Sequence, residues 1–267
     1  MGASRTYNPR MTTDTSDILC AAWKGYAERF PACFDAPHPD LRFSCAGIPV
    51  ALFNCAYPKR AIKCAEFERL MADFAGILAP RGIPGLLMAR SDRVEAPPGL
   101  EPVIRMPGMV ADGLFAPKYP AANVDVREVR GEKMAEEIAR LNVVCHGMPE
   151  EEIGPMTSAA LWEPPNHGFL IYADGEAVAA GSASYVNGAS YIGWMATLEK
   201  FRGRGYAETI LRHMDAAMRR EYGVTESVLH ATELGRPVYE RLGYRTVDEF
   251  MGYLCMPAAG EAEGISN

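Results

Sequence analysis

The clearest periodicity in the chain lies in its second half. Between residues 206 and 221, Ala207, Ile210, Leu211, Met214, Ala217 and Met218 recur at helical spacing, which predicts an amphipathic helix with one buried face. Gly223 follows as its C-terminal stop. Upstream the period changes. Residues 124–129, 169–173, 177–185 and 191–197 read as strands, with Asp174-Gly175 and Asn187-Gly188 as hairpin turns. Helices are expected over 132–142 and, from the acidic residues of its first turn, 150–161. After the long helix come a strand at 228–231, a short helix at 236–242 and a strand at 244–253.

The first half is less regular. Its pattern predicts helices over 16–28 and 59–78 and strands over 48–53 and 85–89, with residues 106–115 as a further strand. Lys59-Arg60 reads as a solvated helix start. Between the halves, Ala96-Pro97-Pro98-Gly99 and Ala116-Pro117-Lys118-Tyr119-Pro120 oppose regular structure. The expected division is therefore a tail at 1–17, an N-terminal domain at 18–120, a C-terminal domain at 121–256 and a tail at 257–267.

Composition narrows the function classes. The 267 residues are 48% hydrophobic and 23% charged, the balance of a globular protein. A net charge of −7 and a pI near 5.4 argue against general nucleic-acid binding, which needs a basic face. No apolar run reaches bilayer length, and residues 1–17 lack the apolar core of a signal peptide. The seven cysteines form no CxxC pair, so no metal site is expected and reduced thiols in the cytoplasm are the plain reading. Cys145-His146 is the one close Cys/His pair.

The candidate chemistry centres on Phe201-Arg202-Gly203-Arg204-Gly205-Tyr206-Ala207, between the strand at 191–197 and the long helix. Such a turn leaves backbone N–H groups at the positive end of a helix, where an anion is stabilised. On its own it fits an ordinary solvated turn equally well. The order of elements around it decides further. Arg202-Gly203-Arg204-Gly205-Tyr206-Ala207 meets the pattern Arg/Gln-x-x-Gly-x-Gly/Ala, and Tyr239-Glu240-Arg241-Leu242-Gly243-Tyr244 meets Tyr-Glu-Lys/Arg-Leu-Gly-Phe/Tyr. With these two motifs one helix and one strand apart, the second half resembles the GNAT superfamily of N-acyltransferases over about residues 123–254. Glu199-Lys200-Phe201 departs from the Pro-Glu-Tyr often found before the arginine.

The resemblance implies an α+β fold, a mixed and mostly antiparallel sheet flanked by helices, beside a second N-terminal α/β domain. That first half looks like a degenerate GNAT-like copy without the loop, or a cap. The resemblance further implies acetyl-CoA as co-substrate. Its pyrophosphate would lie on the amides of Arg202, Gly203, Arg204, Gly205, Tyr206 and Ala207, and its pantetheine arm along Met195, Ala196 and Thr197. Tyr239 stands at the family's proton-donor position, or simply packs beneath the arm, and the Met195 N–H would polarise the thioester carbonyl.

Glu199 and Glu233 are the carboxylates nearest the reacting end and are candidates for the base, with His230 and His146 as further options. Trp162, Trp194, Tyr191 and Tyr185 flank either the acceptor cleft or the core. The expected activity is acetyl transfer to a primary amine of a small molecule by a monomer or homodimer. A non-catalytic acyl-CoA sensor and a protein N-acetyltransferase are the alternatives.

Overall fold

A computed structural model of the chain describes residues 14–117, 123–148, 150 and 154–257. Most of both expected tails and residues 118–122, 149 and 151–153 lie outside the described residues. In the first half, α1 (Ser16–Ala27) is followed by β1 (Leu41–Cys45), β2 (Asn54–Pro58), α2 (Cys64–Leu78), β3 (Gly85–Arg90) and β4 (Ile104–Asp112). The second half contains β5 (Asp125–Glu128), α3 (Gly131–His146), β6 (Asn166–Ala173), β7 (Glu176–Val186), β8 (Ala189–Thr197), α4 (Tyr206–Tyr222), β9 (Glu226–His230), α5 (Arg236–Leu242) and β10 (Arg245–Cys255).

The described strands form one sheet in the order β1-β2-β3-β10-β4-β9-β8-β7-β6-β5. Two neighbouring pairs are parallel, β2 with β3 and β8 with β9. Each is joined through a helix, α2 or α4, because parallel strands need a crossover connection. The remaining pairs are antiparallel. The fold is thus the expected α+β arrangement of a mixed, mostly antiparallel sheet with flanking helices.

The halves exchange their final strands. β4 leaves the first half and pairs with β9, while β10 leaves the second and pairs with β3. The exchanged strands also pair with each other, from Arg245 opposite Val110 to Gly252 opposite Ile104. Strands from both sides of the expected boundary near residue 120 belong to this one sheet.

Apolar faces explain where the helices sit. The stripe of α4, with Ile210, Leu211, Met214 and Met218, is buried on Met109, Ile192 and Leu229. On the opposite face, Ile138 and Ala139 of α3 and Tyr26 of α1 cover Leu170, Ala180 and Ala196. α1 also spans both halves, because Ile18 and Leu19 pack with Met88 of β3 and with Tyr191 and Val228. α2 buries Phe67, Leu70, Phe74 and Leu78 against Leu87 and Tyr253.

Three expectations are corrected. Residues 48–53 are not a strand: Ala51–Phe53 is a 3-10 turn and the strand begins at Asn54. Pro49 cannot donate to a ladder, and the buried Asn54 amide holds the loop instead. Its nitrogen donates to the carbonyls of Ile48 (2.7 Å), Val50 (3.2 Å) and Pro84 (2.9 Å), and its oxygen accepts the Gly47 N–H at 3.0 Å. Residues 150–161 do not form one α-helix, because Gly154–Met156 and Ala159–Trp162 are separate 3-10 turns, the second capped by Ser158. Pro155 within the first turn opposes a continuous helix.

Helix α2 starts at Cys64 rather than residue 59. Ile62 instead bonds backbone to backbone with Arg93 and Glu95, and Arg60 pairs with Asp40 and Glu66.

Replacing Asn54 with alanine strands these buried carbonyls. The expected cost is about 2–3 kcal/mol, read as a lower denaturant midpoint in equilibrium unfolding. An unchanged midpoint would remove Asn54 as the organiser of this loop.

Candidate active site

Strand β8 loses one neighbour part-way along its length. It pairs in parallel with β9 at Ser190–Ser227, Tyr191–Val228 and Ile192–Leu229, and no further. Beyond this point β9 stays with β4, where His230 opposes Gly108, while β8 continues beside β7 to Thr197. The two strands diverge, and residues 193–197 keep one edge without a strand partner.

A bulge re-aims this open stretch. Ser182 opposes Gly193 and Ala180 opposes Ala196, so Trp194 and Met195 together face the single residue Gly181. Trp194 takes a left-handed backbone, φ 54°, a conformation uncommon for a side chain of this size. Glycine at 181 makes room. A Cβ there would meet the Met195 sulfur at 2.5 Å and Ile210 Cγ2 at 2.6 Å.

At the end of β8 comes the glycine turn. Gly203 and Gly205 have φ of 76° and 80°, backbone that only glycine adopts without strain. The first α4 amide to find a carbonyl is that of Thr209, bonded to Gly205. Among the described residues, the N–H groups of 203–208 have no protein acceptor, so the turn presents a run of free donors at the positive end of a 17-residue helix. Arg202 and Arg204 are exposed beside them. Arg202 Nε donates to the Thr197 carbonyl at 3.2 Å, and the Arg204 guanidinium lies 5.0 Å from the Phe201 ring.

Met195, Ala196, Thr197 and the residues of 202–207 therefore form one continuous run from the gap to the donor cluster. Tyr239 on α5 is 8% exposed, its ring 5.7 Å from Tyr244. Burial raises its pKa. It lies near enough to Tyr191 to add to the upward shift that burial causes there, against the hydrogen bond from Trp23. Glu199 and Glu233 are both exposed, Glu199 in the turn after β8 and Glu233 at 3.8 Å from Arg236. No contact among the described residues brings those two carboxylates together.

His146 ends α3 rather than lying in a loop. Although part of its surface meets solvent, burial lowers its pKa, the nearby Met195 backbone works the other way, and Arg202 lowers it further. Cys145 beside it interacts with the Thr197 backbone and with Arg202, while burial raises its thiol pKa.

Sequence reasoning missed the contribution of α1. Trp23 Nε1 donates to the Tyr191 hydroxyl at 3.2 Å, and the Tyr26 hydroxyl bonds both Ser182 and Ser184 at 2.9 Å. Their rings join Phe53, Trp162 and Trp194 in one cluster, with Trp23 stacked on Trp194 at 6.5 Å and Trp162 5.4 Å from it. The spacing of Trp23 and Tyr26 along one helix face was the available signal. Tyr185 does not belong here. It stacks on Tyr222 at 4.6 Å, on the far side of the hairpin.

Residues 164–246 match the acetyltransferase (GNAT) domain family. The chain carries a GNAT domain. Its matched stretch holds the diverging strands, the glycine turn and the Tyr239 motif, and it classes the chain with the acyltransferases. The GNAT likeness in fold extends beyond that stretch.

A GCN5-related N-acetyltransferase from Kribbella flavida is 18% identical, with a TM-score of 0.66 over 94% of this chain and 99% of its own. A putative GNAT-family acetyltransferase from Novosphingobium aromaticivorans is also 18% identical, with a TM-score of 0.60 over 91% and 98%. A conserved protein of unknown function from Staphylococcus epidermidis is 11% identical, with a TM-score of 0.59 over 83% and 93%. No curated protein matches the chain.

A methyl group at Gly181 collides with the bulge and α4 together. Gly181→Ala is expected to cost about 1–3 kcal/mol and to shift the Met195 amide resonance. A neutral substitution with that resonance unmoved would show that the bulge does not rely on Gly181.

Proposed function

We propose that the protein is an acetyl-CoA-dependent N-acetyltransferase acting on a primary amine of a small molecule. One observation carries this reading: the gap between β8 and β9 leads, along an open strand edge, to the free N–H groups of 203–208. A pantetheine arm is an amide chain that can pair with a strand edge, and a pyrophosphate suits a helix N-terminus rich in free donors. The residues present fit such a ligand. Arg202, Gly203, Arg204, Gly205, Tyr206 and Ala207 would hold the phosphates, and Met195, Ala196 and Thr197 the arm.

Acetyl-CoA supplies an acyl group on a thiol, a leaving group much better than an alkoxide or amide. The chain supplies orientation and proton handling. The Met195 N–H is assigned to the thioester oxygen, where a fixed donor lowers the cost of developing charge. Tyr239 is assigned as the proton donor to the departing sulfur. Its raised pKa keeps it protonated at neutral pH. Glu199 and Glu233 remain the carboxylates assigned to remove the amine proton through solvent, since both are exposed at the ends of strands that border the gap.

A small acceptor is favoured because α1 and its aromatic side chains cover the sheet face opposite α4 beside the gap. The first half, 18–120, is read as a degenerate GNAT-like half. It repeats the unit of a parallel strand pair joined by a helix, with Lys59 to Lys63 in place of the glycine turn. The free state of the seven cysteines is in keeping with a cytoplasmic protein, active as a monomer or homodimer.

Thiol release from acetyl-CoA, measured over a panel of amines, tests the reading. Acceptor-dependent release is expected, and tight CoA binding by calorimetry without release would favour a sensor instead. Tyr239→Phe is expected to lower kcat by about 10²-fold, the scale of acid catalysis, with CoA affinity nearly intact. A large loss of CoA binding would instead make Tyr239 a packing residue.

A further inference from the structure

A hydrogen-bonded chain joins the start of α1 to the mouth of the gap. Thr15 occupies the N-cap position of α1 but its side chain does not cap the helix. The Thr15 N–H donates to Asp248 Oδ2 at 3.0 Å, and its hydroxyl donates to the same carboxylate at 3.0 and 3.1 Å. The hydroxyl oxygen also lies 2.8 Å from His230 Nε2. Because the Thr15 proton is committed to Asp248, the ring nitrogen must be the donor. His230 is thereby fixed as the Nε2–H tautomer, and Nδ1 is left as a bare acceptor.

That Nδ1 is buried and has no hydrogen-bond partner among the described residues. Buried polar nitrogens without a partner are uncommon in folded proteins, and each calls for an explanation. Its position supplies one. His230 ends β9, one residue past the last pair with β8, on the face that carries Tyr191 and α1. Its ring lies 6.0 Å from that of Tyr191 and 4.9 Å from Phe250. The Tyr191 oxygen already accepts from Trp23, so its own proton is free to be donated. One bare acceptor and one available donor are thus carried on neighbouring rings where the strands part.

We propose that His230 orients the acyl acceptor, its Nδ1 accepting an N–H of the neutral amine so that the nitrogen lone pair is turned toward the thioester. Thr15 and Asp248 act through it as positioning residues. This rests on the acetyl-transfer reading and adds to it a residue that recognises a hydrogen-bond donor on the acceptor. It also gives the first half of the chain a part in the site, because Thr15 precedes α1. Burial lowers the His230 pKa to about 3, which keeps the ring neutral and Nδ1 able to accept near neutral pH.

The test uses full-length protein and two amide replacements. His230→Gln keeps an amide nitrogen near the Nε2 position for Thr15 but loses the acceptor at Nδ1. His230→Asn does the reverse. The acceptor KM is expected to rise about tenfold or more in His230→Gln, the scale of one buried hydrogen bond, and less in His230→Asn, with acetyl-CoA affinity unchanged in both. Thr15→Val is expected to raise the acceptor KM as well, and Thr15→Ser to restore it. An unchanged acceptor KM in folded His230→Gln, or an equal loss of acetyl-CoA affinity, would overturn the proposal.

A second measurement is independent of turnover. In ¹⁵N-histidine-labelled protein loaded with CoA, the Nδ1 resonance of His230 is expected to move when amines from the panel are added. If wild-type protein releases no thiol with any amine, the transfer reading fails. A resonance unmoved by all of them sinks the role of His230 whether or not transfer occurs.

Discussion

A strand that loses a neighbour half-way along its length must find other partners for its amide groups, because backbone donors and acceptors are rarely left unpaired away from water. In this protein that constraint falls on β8. Its N-terminal part is held on both sides, by β7 and β9, whereas residues 193–197 have β7 alone. The bulge at Trp194 and Met195, the glycine at 181 that accommodates it and the helix end that follows are all arranged around this half-paired stretch. Side chains from α3, namely Cys145 and His146, reach its backbone. The gap is a place where the sheet withholds its own hydrogen bonds.

Holding such a gap open requires that both sides be anchored elsewhere. On one side, β9 is drawn away by β4, a strand from the other half of the chain. On the other, Gly181 lets α4 press Ile210 and Met214 closely against the bulge. α1 then bridges the two sides, with Ile18 and Leu19 on Val110 and Val228, and Tyr26 on the serines of β7. The geometry of the site is thus set largely by packing that no motif encodes.

What was legible in the sequence follows from this division. The glycine turn, α4 and the Tyr239 helix were readable because each depends on local backbone preference: left-handed glycines, a helical apolar stripe and a C-terminal glycine. Residues 48–53 misled because an apolar run resembles a strand, while Pro49 and the side-chain hydrogen bonds of Asn54 decide otherwise. The exchange of β4 and β10 left no local trace, since pairing of Val110 with Arg245 joins residues more than half the chain apart. The same holds for Thr15, whose partners are His230 and Asp248. A threonine in a polar N-terminal stretch gives no sign that it meets the end of a distant strand.

The exchanged strands bear on how such a chain can change over time. A segment that carries none of the residues assigned to the ligand would ordinarily be free to shorten or disappear. Here the first half has no glycine turn, yet it contributes β4 to the neighbourhood of the gap and shelters β10 in return. Deleting it would remove a strand beside the gap and take both sheet neighbours from the last strand of the second half. Retention is therefore imposed by architecture, and substitutions in the first half are filtered for fit to the second even where they touch no chemistry.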